Sequence, residues 1–469
     1  MTTARGNLAA ALLCVAATAT ATEPPRRLPP ITPAPAKLAA HDAWAGSYAS
    51  VAGEPGFALP FEVGAKFNKG VFIRAREFQQ NPYALYVGGR LQLRYTGFSR
   101  DVETFTDNAG VTNPVRNRSN FDAERVRLNI SGTALSPKLT YNFIFDADSD
   151  GASQVDGLAY FFTYAFDPKL RVRLGRWKVA ADRQWLLSSR YLRFADRSLA
   201  TEYFRVGFSD GLWLLGNLDG PAGGRWRYEA SLTNGLRTST RAPSNLDDNL
   251  AAAGTLYCDP LGPYGDGTPD YLWHDTPVVR FGASFAFDKS DDRSDAGGAF
   301  ALGDDSFLRL SDGTRLADTG ALAPGVTLRG DRVLLAAIDV GIKYRGWSAS
   351  AEYFLRSLQD LTADGALPVN KLYDYGFHAE LGKFVVERKL DLNFRMSQVS
   401  GLFGNSFEYA GGMNYYFGEP RSHGGAGDQL NKFTFDVTNI IQSSVDTTTA
   451  DIFAGDDGLL VRAQVQIGF

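Results

Sequence analysis

Arginine recurs at alternating positions in three stretches of the chain: Arg90 and Arg94, Arg125 and Arg127, Arg171 and Arg173. A guanidinium keeps its charge at any ordinary pH and presents a planar fork of donors that suits carboxylates and phosphates. Several of them on one wall would hold or steer small anions and zwitterions through a lateral field. A second group of cationic and hydroxyl residues lies in one segment, LRVRLGRWKVAADRQWLLSSRYLRFADRSLATEYF, Leu170 to Phe204. It supplies Lys178, Arg183, Ser188, Ser189 and Arg190. With Arg90, Arg94, Arg125, Arg127 and the acidic Asp156 these form the candidate pore and anion-binding set. Taken singly, any one of these arginines reads more simply as a residue solvated in a water-filled lumen and paired with a loop carboxylate.

The elements that must position them are strands. Val87, Leu91, Leu93 and Tyr95 share one face opposite Arg90, Gln92 and Arg94, and Val126, Leu128 and Ile130 oppose Arg125, Arg127 and Asn129. Val172 and Leu174 likewise oppose Arg171 and Arg173. That two-residue period is the mark of a strand with one apolar and one polar face. After Trp177 the alternation stops, and about two dozen residues rich in arginine and aromatics follow without a usable period. Such a segment after a strand is expected to fold inward and narrow a pore, at about 178–205.

Further strands are expected near 138–146, 156–166, 206–216, 225–233, 277–287, 298–306, 331–345, 347–356, 372–382, 387–397, 407–417, 430–440 and 458–469. The total is 16, so both ends of the barrel fall on the periplasmic side. Short turns at Ser136-Pro137, Asp167-Pro168 and Tyr344-Arg345-Gly346-Trp347 alternate with longer loops at Ser99 to Asn120 and Ala147 to Val155. This is the rhythm of an outer-membrane barrel. The Gly/Pro/Asp-rich stretch Asn234 to Thr276 reads as a strandless outer loop, with Cys258 a loop residue of no special role. In the last strand Leu459, Val461, Ala463, Val465, Ile467 and Phe469 share one face, with Arg462, Gln464 and Gln466 on the other. A soluble sheet would leave that face as an unprotected edge, whereas a barrel pairs the strand and turns its apolar side to lipid.

Composition agrees. The 469 residues include 32 Phe, 20 Tyr and 49 Gly, which favour strands and turns over helices. A net charge of −4 shows no nucleic-acid footprint. At the N-terminus Arg5, the apolar run Leu8 to Ala17 and Ala19-Thr20-Ala21 read as a signal peptide over 1–21. The proline-rich stretch within 22–56 reads as an extended periplasmic tether, 57–82 as a lead-in, and 83–469 as the barrel.

The histidines, His41, His274, His378 and His423, lie too far apart for zinc-ligand spacing. No nucleophile elbow is present, so an enzyme is not expected. His378 alternates with Phe377 and Ala379 and is expected in the lumen as a solvated residue. Asp146 to Gly151 begins like a calcium loop, but its twelfth position is Gly157 where a glutamate belongs, so a polar turn is the better reading. No cofactor or metal is implied.

These motifs resemble the phosphate-selective porin O and P family. GGRLQLRY (Gly88 to Tyr95) is similar to its first strand, ERVRLNISGT (Glu124 to Thr133) to its second, and LGRWKVAADRQWLLSSRYLRFADRSL to its third-loop signature. The resemblance implies a 16-stranded all-β transmembrane barrel with loop three folded inward, usually a homotrimer in the outer membrane, passing small hydrophilic solutes. In phosphate-specific members, arginines of the first two strands and a lysine with serines on loop three hold the anion. Arg90, Arg125, Ser188 and Ser189 match such positions, and Asp156 matches an acidic residue near the site. Glu124 stands where a second-strand arginine belongs and Trp185 where the central lysine belongs. Arg309, Arg315 and Arg329 are loose counterparts of a later arginine ladder. The expected activity is passive diffusion with an anion lean, and the alternative is a mainly structural envelope barrel with little flux.

Overall fold

The computed structural model describes residues 60–66, 70–147, 155–219, 225–238, 247–291, 307–417, 430–446 and 452–469. All of them fall in one unit, Ala58–Phe469. The signal-peptide and tether readings, and the expected strand at 298–306, lie outside the described residues.

Sixteen strands form the barrel wall: β1 (Ala84–Arg100), β2 (Arg118–Ala134), β3 (Ser136–Ala147), β4 (Asp156–Asp167), β5 (Leu170–Lys178), β6 (Phe208–Asp219), β7 (Arg225–Thr233) and β8 (Ala251–Asp259). β9 (Val278–Ser290), β10 (Leu328–Tyr344), β11 (Trp347–Ala363), β12 (Leu372–Val386), β13 (Leu390–Gly401), β14 (Gly404–Tyr416), β15 (Lys432–Ile441) and β16 (Gly458–Gly468) complete it. Each pairs antiparallel with the next, and β16 closes the cylinder on β1 from Gly458↔Arg100 to Gly468↔Arg90. Phe469 finishes the seam by exchanging backbone hydrogen bonds of 3.0 and 3.1 Å with Gly89. A hairpin, Phe61–Lys66 and Gly70–Ala75, then pairs with the start of β1 (Val71↔Val87 to Arg74↔Ala84) along the edge that β16 leaves free.

Closure explains why so apolar an exterior suits this chain. Every strand finds both neighbours, so lipid meets side chains and no bare backbone. Outward Ile338, Val340 and Ile342 of β10 are exposed, and inward Val333, Leu335, Ala337 and Lys343 are buried. On β16 Leu459, Val465 and Ile467 face out and Arg462, Gln464 and Gln466 face in, as their alternation requires. Arg345 and Gly346 adopt φ of 43° and 77° between the paired Tyr344 and Trp347, the two-residue hairpin turn that matches strand twist. Arg345 therefore belongs to a turn and not to the lumen wall.

The count of sixteen is as expected, but its composition differs. The supposed loop Asn234 to Thr276 contains β8, and the barrel closes among the described residues without 298–306. β8 was hidden because Ala251-Ala252-Ala253-Gly254 lacks the large outward side chains that make alternation visible. Its presence reverses the direction of β9 and moves residues 260–277 to the rim of short turns. Cys258 is a buried strand residue and not a loop residue.

Candidate functional site

Loop three runs from the end of β5 to the start of β6 and crosses the lumen. It carries two short helices that its lack of period concealed, α1 (Arg183–Leu186) and α2 (Leu199–Phe204), with a 3-10 turn at Ser189–Tyr191 between them. Asp182 Oδ1 accepts from Trp185 N at 2.6 Å and Ser198 Oγ from Thr201 N at 3.1 Å, each capping a helix start. Lys178 Nζ donates to the carbonyl oxygens of Trp185 (2.6 Å) and Leu187 (3.1 Å), and Arg197 to those of Gln184 and Leu187. These are the carbonyls a helix end leaves open. Lys178 is thus a buried structural brace for loop three.

The far wall receives the loop through carboxylates. Glu352 on β11 accepts from Arg183 N (2.6 Å) and Gln184 N (3.1 Å). Glu408 on β14 accepts from Leu199 N (2.6 Å), and Asp436 on β15 from Ala195 N (2.9 Å). Glu352 and Glu408 thus meet the open N–H groups at the starts of α1 and α2, and Asp436 holds the loop just ahead of α2. Wall glycines make the room. A Cβ on Gly382 would stand 1.6 Å from Arg193 Nη1, and one on Gly376 2.6 Å from the Phe204 ring.

Arg94 and Arg125 converge on loop three. Asp196 lies 2.7 Å from Arg94 Nη1, 2.7 Å from Arg125 Nη2 and 3.5 Å from Arg462 Nη1. Glu124, standing where the family has an arginine, lies 3.0 Å from Arg94 and 3.2 Å from Arg125. Burial would raise the Asp196 carboxyl, yet Arg94, Arg125 and Arg462 outweigh it and hold it below the ordinary carboxylate range. Burial also pulls the Arg197 guanidinium down to about 10. The supposed solvated basic wall is therefore largely a desolvated, charge-balanced joint.

Arg90 differs. It sits directly across from Arg127 in the β1–β2 register and is 4% exposed, with Nε and Nη1 lacking a hydrogen-bond partner among the described residues. Arg127 is turned to Asp146 (2.6 and 2.8 Å) and reaches Ser189 Oγ at 3.5 Å. Arg90 lies within electrostatic reach of Arg127, Arg125 and Arg190, and also of Asp146. Ser189 is buried beside them, whereas Ser188 and Arg190 are half-buried on the same turn. Asp156 pairs with Asp146 at the outer ends of β3 and β4. Arg183 stands apart, its guanidinium 4.9 Å from the Tyr257 ring, beside a 40 Å³ cavity that also touches Asp339, Glu352 and His378. His378 points into the lumen but is buried against Glu352 at 3.3 Å and not solvated.

Trp185 is buried and ringed by cations: Lys178 at 4.6 Å, Arg197 at 4.9 Å and Arg205 at 5.0 Å from its ring centroid. An aromatic face thus gathers three positive charges where the family has a fourth. Arg309 and Arg315 lie at the outer mouth beside Asp446, and Arg329 pairs with Asp364 on the rim.

Two further lumen features escaped the sequence. Residues 260–277 enter from the short-turn rim: Lys343 Nζ donates to Tyr264 O (3.2 Å) and Gly267 O (2.9 Å), and Arg193 of loop three to Thr268 O (3.3 Å). Tyr271 packs there with Phe384 and Tyr416. Toward the long-loop rim, Leu308, Leu310 and Leu316 join Leu199, Tyr203, Phe204, Val399 and Leu460 in one apolar cluster. Polar strand residues flanking a missed strand gave the first no clear signal. The second was legible only as leucines in a loop.

A closed sixteen-strand barrel with an apolar exterior, a charged interior and a loop across its lumen defines an outer-membrane porin, a channel for small solutes. The family model described as phosphate-selective porin O and P matches residues 93–258, which bears out the resemblance over the second-strand and loop-three motifs, while Gly88 to Gln92 of the first-strand motif lie ahead of the match. Among solved structures, the chain is similar to the trimer form of OmpT from Vibrio cholerae at 9% identity and TM-score 0.46, covering 82% of this chain and 99% of that one. It is also similar to the anion-selective porin from Comamonas acidovorans, at 10% identity and TM-score 0.45 over 82% and 99%. OprB of Pseudomonas putida gives 11% and 0.47 over 82% and 94%. At this level of likeness no residue of theirs carries a role here. Comparison with curated proteins finds no match.

Proposed function

We propose that the chain is a passive outer-membrane pore for small hydrophilic solutes that favours anions, working as a homotrimer among outer-membrane lipids. The observation that carries the anion preference is Arg90. Two like charges opposed across strands, Arg90 and Arg127, repel. Asp146 forms its ion pair with the second and only comes within electrostatic reach of the first, so a passing carboxylate or phosphate can serve as a hydrogen-bonding partner for the first. Ser189 Oγ and the half-buried Arg190 can add donors to such an anion. Tight phosphate selectivity does not follow, because Trp185 supplies no charge at the central position and Arg125 is committed to Asp196.

The experiment is ion selectivity of single channels in planar bilayers. The expected result is a reversal potential of anionic sign that Arg90→Ala reduces, with weak or absent phosphate block of chloride current. Cation preference would overturn the reading.

A mainly structural barrel with little flux is the second reading, favoured by the apolar cluster and the 260–277 segment that occupy the lumen on either side of loop three. Absence of ion-conducting openings would decide for it.

A further inference from the structure

The outer mouth contains a cavity of 660 Å³, a volume typical of small-molecule sites. It lies between the first outer loop, residues 101–117, the in-folded stretch 309–318, and Asp446 with Phe453, Ala454 and Asp456. The first loop forms its own hairpin, Thr104–Thr106 with Thr112–Pro114, and its tip is docked: Asn108 N donates to Thr314 Oγ1 (2.8 Å) and Asn108 Nδ2 to Ala321 O (2.6 Å). Next in sequence to the cavity's lining residues Arg309, Asp446 and Phe453, Leu310, Val445 and Ile452 belong to the buried apolar cluster that also holds the register pair Phe98 and Leu460.

Some lining charges are spent on structure. Arg100 forms a two-pronged contact with Asp456 (2.6 and 3.1 Å) and lies 4.1 Å from the Phe98 ring centroid. Arg309 is held by Asp446 (2.6 Å) and Gly313 O (2.6 Å). Others remain available. Arg315 is more than half exposed, and among the described residues its one ion-pair contact is a distant 3.8 Å to Asp446. Asp318 lies within electrostatic reach of both Arg315 and Asp107. Unlike charges thus stand close together at one wall, and Phe105 and Phe453 line the same cavity.

We infer that this vestibule is a binding site for a short zwitterionic peptide. The peptide carboxylate would be received by Arg315, its ammonium by Asp318 and Asp107, and an apolar side chain by Phe105 and Phe453. A neutral sugar would leave the opposed charges unused, and a simple anion would leave the carboxylates repelling it. The site is separate from Arg90 and does not depend on flux.

The test is calorimetric titration of the detergent-purified full chain with the dipeptide Ala-Phe, its N-acetyl form, its C-terminal amide, and maltose. Saturable binding of the free dipeptide is expected. Each cap should weaken it about tenfold or more, as loss of one charge-assisted contact implies, and maltose should give no heat. Arg315→Gln and Asp318→Asn should each weaken the free dipeptide similarly while the barrel keeps its heat-modifiable mobility. Equal binding of the N-acetyl form, binding of maltose, or no binding of the dipeptide would each overturn the proposal. Conductance of the same preparation separates the outcomes. A conducting chain that binds no dipeptide sinks only the vestibule, and a binding chain without openings sinks only the pore.

Discussion

The Asp196 carboxylate lies 2.7 Å from Arg94 Nη1, so a side chain of loop three neutralises an arginine of the first barrel strand. Arg125 and Arg462 reach the same carboxyl group, and all four side chains are almost fully buried. Removing one partner of such a joint leaves buried charge uncompensated, at a cost of about 3–5 kcal/mol. Asp196→Ala should therefore loosen loop three and release positive charge into the lumen. Single-channel conductance and anion selectivity are both expected to rise. Unchanged values of both would mean that the far-wall contacts alone hold the loop.

Two acids of loop three, Asp196 and Asp182, respond oppositely to pH. Asp196 is held below the ordinary carboxylate value, so its contribution to docking is fully present above about pH 4 and lost only as pH falls further. Asp182 is raised well above that value, first by burial and then by Glu352, so the docked loop holds its proton more tightly than the free loop. Its ionisation opposes docking as pH rises through and beyond the ordinary carboxylate range. Proteolysis within loop three should be slower at pH 5 than at pH 8. Asp182→Asn keeps the cap on Trp185 and should flatten that difference, while Asp182→Ala should lose about 0.5–2 kcal/mol of capping at both pH values.

Trp185 invites a substitution that restores the family's lysine. Lys178, Arg197 and Arg205 already surround that ring within 5.0 Å, so Trp185→Lys adds a fourth cation and removes the face that gathers three. Increased proteolysis of loop three is expected, without phosphate block of chloride current. Trp185→Phe keeps an aromatic face and should stay close to the parent. A strong phosphate block in Trp185→Lys would show that this one residue had extinguished the site.

How far the sequence carried these findings depends on local period. The wall was legible wherever large outward side chains alternate with polar ones, as in Leu459, Val465 and Ile467 against Arg462 and Gln464. It failed at β8, where Ala252 and Gly254 stand at outward positions and give no signal, and that one omission put 260–277 at the wrong rim. The candidate site was named in part. Arg94 and Arg125 were found, but their commitment to Asp196 is a contact 102 and 71 positions away along the chain. Glu124 in the place of an arginine was one local hint that the wall had become balanced. Inward Gly376 and Gly382 were a second, since a missing side chain on a lumen face marks where something else must fit.

The segment misplaced by that reading supports the strongest expectation about flux. Gly346 N donates to Asp270 Oδ2 at 2.8 Å, and Arg388 donates to the carbonyl oxygens of Tyr271 and Leu272. With Lys343 these contacts fix 260–277 beneath loop three, and Arg193 of that loop ties the segment to the wall, donating to Thr268 O at 3.3 Å and to Ser348 Oγ of β11 at 2.9 Å. A pore narrowed twice in series conducts as its tighter part allows. Replacing 262–274 by a short Gly-Ser turn should raise conductance if this segment sets the limit, and Arg193→Ala should raise it less, because Lys343 still holds Gly267. The wall should survive both changes, since β8 and β9 pair from Ala252↔Phe287 to Cys258↔Phe281 without the segment. Conductance unchanged by the replacement, with heat-modifiable mobility intact, would return the constriction to loop three alone.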